Sequence, residues 1–134
     1  MEKRNIHLQQ KYAEIEEKEV RYEEIHCDDA EYLIVAFGSC ARIAQKAMEE
    51  ARAEGIKVGL LRPITLWPFP SKAIAERSRQ VKGILTVELN AGQMVEDVRL
   101  AVECKVPVEY FGRLGGIVPD PDEVVAALKE KIIK

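Results

Sequence analysis

Tyr32–Phe37 reads YLIVAF. Six consecutive apolar or aromatic residues leave no polar face to turn toward water. A strand with one wet face alternates, whereas an unbroken run suits a strand covered on both sides, as in parallel sheets sandwiched by helices. Gly38 and Ser39 end the run. Ala41–Glu54 then carries Ile43, Ala44, Ala47, Met48 and Ala51 on one helical face. Gly55 follows as a C′ residue, because glycine accepts positive φ.

Downstream the same alternation returns. Val58–Leu61 is a second buried strand, and Ser71 can N-cap a short helix to about residue 80 with Ile74 and Ala75 inward. Gly83–Leu89 (GILTVEL) is a third strand, turned by Asn90-Ala91-Gly92 into a helix over Gln93–Cys104. Val106–Phe111 is the last strand, and Pro107 near its start marks an edge position. A flexible Gly112–Gly116 loop precedes a final helix that Asp120 opens, with Pro121 at N1 and Glu123 at N3, a capping-box pattern. Strand and helix alternate four times, which predicts an α/β domain with a mainly parallel sheet.

Upstream, Met1–Glu19 is charged and helical, with Leu8, Tyr12 and Ile15 in one narrow stripe that must dock somewhere. It reads as a linker, and residues 20–134 as the domain. Alternation from Val20 suggests a short strand to Ile25 or His26, and Cys27–Glu31 reads as a turn.

A chain of 134 residues is one domain able to bury a core. Its net charge of −3 argues against nucleic-acid binding. No apolar run reaches the roughly 18 residues a membrane span requires, and MEKRNIHLQQ lacks a signal-peptide core. Cys27, Cys40 and Cys104 are odd in number and widely spaced, which suggests neither disulfide framework nor zinc site. The chain reads as cytoplasmic, with reduced thiols.

In a parallel sheet the loops after the strands emerge along one edge, where ligands bind. That edge gathers Arg62, Trp67, Glu88, Asn90, Gln93 and Arg113, a Gly-rich polar rim suited to a carboxylate, a phosphate or a partner's acidic group. Its stiffest part is Leu60–Pro70 (LLRPITLWPFP), which holds the only Trp and three of the six Pro. Arg62-Pro63 cannot continue as helix, and Pro68 and Pro70 fix φ around Trp67 and Phe69. A rigid aromatic loop of this kind is a contact surface, or else a plug for the core edge. Glu88 is either a general base or an ion-pair partner for Arg62 or Arg113. Cys40 opens a helix, where a thiol pKa can fall, or is simply a small buried residue. His7 and His26 lie in the N-terminal arm, away from any triad spacing. Neither the dinucleotide nor the P-loop signature occurs.

Three motifs, RPITLWPFP (Arg62–Pro70), VELNAGQMV (Val87–Val95) and YFGRLGG (Tyr110–Gly116), resemble the C-terminal domain of the alpha subunit of 2-oxoacid:ferredoxin oxidoreductases, nearest the 2-oxoisovalerate or 2-oxoglutarate type. The resemblance runs from about residue 2 to 132. It implies the transketolase C-terminal-domain fold: three αβα layers and five strands, the first antiparallel. It implies an enzyme that decarboxylates a 2-oxoacid to acyl-CoA with thiamine diphosphate and passes electrons through iron–sulfur clusters to ferredoxin. No cluster motif and no acidic-Gly-Asn motif for a diphosphate-bound metal is present. The expectation is therefore a chain that holds no cofactor, is inactive alone, and works in assembly with other subunits, with a homodimer left open. The rival expectation is a stand-alone binder of a small anion or nucleotide, with Arg62 and Arg113 converging on a closed pocket.

Overall fold

A computed structural model covers Met1–Lys134. Helix α1 (Glu2–Lys18) leads into β1 (Tyr22–Ile25), β2 (Tyr32–Ala36), α2 (Ser39–Ala53), β3 (Val58–Pro63), α3 (Ser71–Ser78), β4 (Ile84–Glu88), α4 (Met94–Val102), β5 (Val108–Gly112) and α5 (Pro121–Leu128). A π-helical turn, Lys129–Ile133, closes the chain. The sheet order is β1-β3-β2-β4-β5. Strand β1 is antiparallel to β3, and every other pair is parallel. The fold is the expected one, with β5 at an edge, as Pro107 indicated.

The apolar run is buried on both faces because its side chains alternate. Ile34 and Ala36 join Leu60, Leu85 and Val87 beneath α2 and α5. Leu33 and Val35 join Leu61 and Ile84 beneath α3 and α4. Burial of this kind contributes about 25 cal/mol per Å² of apolar surface, so β2 does not tolerate a polar sequence.

Several boundaries moved for local reasons. Ser71 is the first residue of α3 rather than its cap: Pro70 holds the cap position, and its carbonyl accepts from the Ile74 N–H at 3.1 Å. Helix α4 stops at Val102 because Glu103 and Cys104 turn left-handed, with φ of 51° and 60°. Strand β1 begins at Tyr22; Arg21 instead accepts the Ile64 N–H through its carbonyl at 3.0 Å. At Asp120 the capping box forms as the sequence indicated.

The turn joining β1 to β2 is held from both layers. Arg52 of α2 donates to the Val58 and His26 carbonyls at 2.8 and 2.7 Å and pairs with Asp29. Arg77 of α3 pairs with Glu24 and Asp28 on the other side. Gly59 lies directly under this turn; a Cβ there would stand 2.9 Å from the His26 carbonyl oxygen.

Candidate functional site

Strands β2 to β5 are parallel, so the loops that follow them gather at one edge. Glu88, at the end of β4, is fully buried there. Its Oε1 accepts from the Met94 N–H at 2.7 Å and from the Gln93 N–H and Asn90 Nδ2 at 3.2 Å; its Oε2 accepts from the Val95 N–H at 3.0 Å. The first backbone donors of a helix lack intrahelical partners, and a carboxylate complements the positive end of the helix dipole. Glu88 therefore caps α4. It is not the partner of either arginine, contrary to expectation: Arg62 pairs with Glu23, and Arg113 pairs with Glu123. The arginines end strands β3 and β5, with β2 and β4 between them. They do not converge on one pocket.

The junction after Glu88 is fitted around this cap. Asn90 Oδ1 accepts the Gly92 N–H at 2.7 Å, and Gly92 has φ of 100°, which favours glycine. The Tyr110 hydroxyl donates to the Asn90 carbonyl. Gly112 admits this arrangement, since a Cβ there would lie 2.7 Å from the Glu88 carbonyl oxygen and against the Tyr110 hydroxyl. Burial pushes the Tyr110 phenol pKa up, with further contributions from Glu88 and Cys40. The Cys40 thiol is likewise raised, first by burial and then by Glu88. Its helix-start position does not activate it; Cys40 is a buried core residue. Gln93 is exposed and offers only its backbone N–H to the cap.

The proline loop is stapled to the start of β1. The Arg21 N–H donates to Thr65 Oγ1 at 3.0 Å, and the Thr65 hydroxyl donates to the Pro68 carbonyl at 2.7 Å. The Trp67–Pro68 peptide is cis. Trp67 is 57% exposed, while Phe69 is half-buried against the α3–α4 layer. Tyr12 of α1 meets Trp67 edge-on, with ring centroids 6.1 Å apart at 89°. Leu8 and Ile15 of the same stripe are half-buried. A cleft of about 650 Å³ runs between α1 and this loop, walled by Glu16, Glu17, Trp67, Phe69 and Lys72.

The rim is more apolar than its motifs suggested. Ile64 and Leu66, just before Trp67, are exposed, as is Leu89 after β4. On the loop after β5, Leu114, Ile117 and Val118 are 59%, 54% and 59% exposed. From sequence, Leu114 reads only as part of the flexible Gly112–Gly116 loop, and Ile117 and Val118 only as the link from it to the final helix. The available signal was three large apolar residues in a segment with neither helical nor strand period.

The donor set does not fit an iron–sulfur cluster or a metal held by several His, Cys, Asp or Glu side chains. No three His, Cys, Asp or Glu side chains converge, and Cys27, Cys40 and Cys104 stand apart as free thiols.

A family model described as pyruvate:ferredoxin oxidoreductase core domain II matches residues 30–124. The ketoisovalerate oxidoreductase subunit VorB of Methanothermobacter thermautotrophicus is 50% identical over 130 residues, covering 97% of this chain and 37% of the relative. The 2-oxoglutarate synthase subunit KorA of Methanothermobacter marburgensis is 34% identical over 98 residues, covering 73% of this chain and 26% of that one. Among solved structures, the 2-oxoglutarate:ferredoxin oxidoreductase of Magnetococcus marinus, with 2-oxoglutarate, coenzyme A and succinyl-CoA bound, superposes with a TM-score of 0.73 at 27% identity, over 83% of this chain and 19% of that chain. A split-gene transketolase, an inactive β4 tetramer, shares the fold at a TM-score of 0.72 and 22% identity, over 84% of this chain and 41% of that one. The chain thus spans little more than a third of the VorB relative's length.

Proposed function

This chain belongs to the pyruvate:ferredoxin oxidoreductase core domain II family, and from that premise we propose that it is an assembly domain of a 2-oxoacid:ferredoxin oxidoreductase, packing against other parts of the enzyme and lending its strand-end loops to the rim of a site built elsewhere. The whole enzyme converts a 2-oxoacid to acyl-CoA. Thiamine diphosphate, coenzyme A and the iron–sulfur clusters are held outside this domain, and ferredoxin takes the electrons. The higher identity to the ketoisovalerate enzyme than to the 2-oxoglutarate enzymes favours a branched-chain 2-oxoacid.

The observation that carries this reading is the state of Glu88. It is the carboxylate at the centre of the rim, and all its contacts are to the chain's own N–H groups. A general base needs a lone pair free for the substrate proton; Glu88 instead fixes the shape of a loop. Anion binding at paired arginines is disfavoured because Arg62 and Arg113 are separated and each has its own carboxylate.

The test is purification of the tagged chain from its native cell. Oxidoreductase subunits should accompany it, and the assembly should reduce viologen with 3-methyl-2-oxobutanoate, coenzyme A and thiamine diphosphate. The recombinant chain given the same mixture should not turn over. Catalysis by the chain alone, or recovery without any oxidoreductase subunit, would overturn the proposal.

A further inference from the structure

Seven of the twelve large apolar side chains left exposed lie on the loops after β3, β4 and β5, along the one edge where the parallel strands end. Scattered exposed apolar residues are ordinary; concentration at one edge marks a contact surface. The two ends of that edge differ. At the β3 end Tyr12 already rests on Trp67, so the chain covers part of its own proline loop. At the β5 end Leu114, Ile117 and Val118 project from a loop whose base is tied down. Arg113 pairs with Glu123, the Asp120 N–H donates to Glu123 Oε2 at 3.0 Å, and Pro119 is buried. Fixing a loop beforehand lowers the entropy lost on association. Between Leu114 and Pro119 there is no charged residue.

We propose that this knuckle, Leu114–Val118 together with Leu89, is the principal docking surface of the domain, and that its occupant is an apolar surface of the rest of the oxidoreductase. The inference rests on the assembly reading above and gives it an address. The VorB relative carries this domain as 37% of its chain, so most of the relative's polypeptide lies outside the matched region and can supply that surface. Apolar side chains left this exposed fit a protein surface rather than a small ligand, which is enclosed by concave walls.

The test compares amide exchange of the assembled enzyme with that of the isolated chain, followed by Leu114→Glu/Val118→Glu in the tagged chain. Exchange at residues 113–118 should slow by about tenfold or more in the assembly. The double variant should keep the far-UV spectrum of the wild type while losing the oxidoreductase subunits. Leu100→Glu, on the exposed face of α4 at 79% exposure, should retain them. Unchanged exchange at 113–118 with protection at 64–67 instead would overturn the address while leaving the assembly reading intact. A homodimer of the purified chain that the double variant dissolves would overturn the occupant. Failure of any oxidoreductase subunit to bind wild-type chain would remove the assembly reading and this inference with it.

Discussion

At Glu88 the chain supplies its own anion to the start of α4. Glu88→Ala strands three backbone donors and removes the charge that faces the helix dipole, so unfolding free energy in urea should fall by about 3 kcal/mol. Glu88→Gln keeps one acceptor oxygen and should lose about half as much. Equal stability of Glu88→Ala and wild type would refute the cap. Cys27 is a second residue-scale case. Burial and then Glu24 push its thiol up to about 11 from the usual 9.0. Below pH 9 folded and unfolded chains are both protonated there, and the stabilisation is fully present. Between pH 9 and about 11 only the unfolded chain releases the proton, so stability should decline across that window in a pH series of melts. At pH 8 iodoacetamide should modify the exposed Cys104 and spare Cys27 and Cys40 until denaturant is added; native labelling of Cys27 would contradict the burial.

Elements here are fixed by local chemistry at their ends, and two substitutions measure it. Asp120→Ala opens the capping box of α5 and should cost about 1 kcal/mol in urea denaturation. Thr65→Val removes the acceptor for the Arg21 N–H and the donor to the Pro68 carbonyl. It should cost about 1 kcal/mol and alter the emission of Trp67, the sole tryptophan; an unchanged spectrum would mean the staple does not set the loop. The capping box was legible because it is a local code of Asp120, Pro121 and Glu123. The role of Glu88 was not, since a carboxylate ending a buried strand reads equally as base, ion-pair partner or cap. Only its distances to the Met94 and Val95 N–H groups decide. The start of α3 was misplaced for a related reason: Ser71 is a good capping residue, but Pro70 already occupies that position.

For the whole molecule, the apolar runs at residues 32–37 and 83–89 made the parallel sheet readable, because burial on both faces leaves a continuous pattern. The exposed apolar edge was harder to read, since exposure of Leu114 or Val118 depends on which loops meet, not on neighbours in sequence. Stability should be uneven. Helix α1 has no buried residue and should exchange its amides early, whereas amides of β2 and β4 should exchange only on global unfolding. Uniform exchange rates would contradict this. The arginines that grip residues 24–29 from α2 and from α3 have a wider consequence. They lock the two helical layers together at the pole away from the rim, so that pole acts as a keel. Loops at the opposite pole can then change in length and chemistry without loosening the frame.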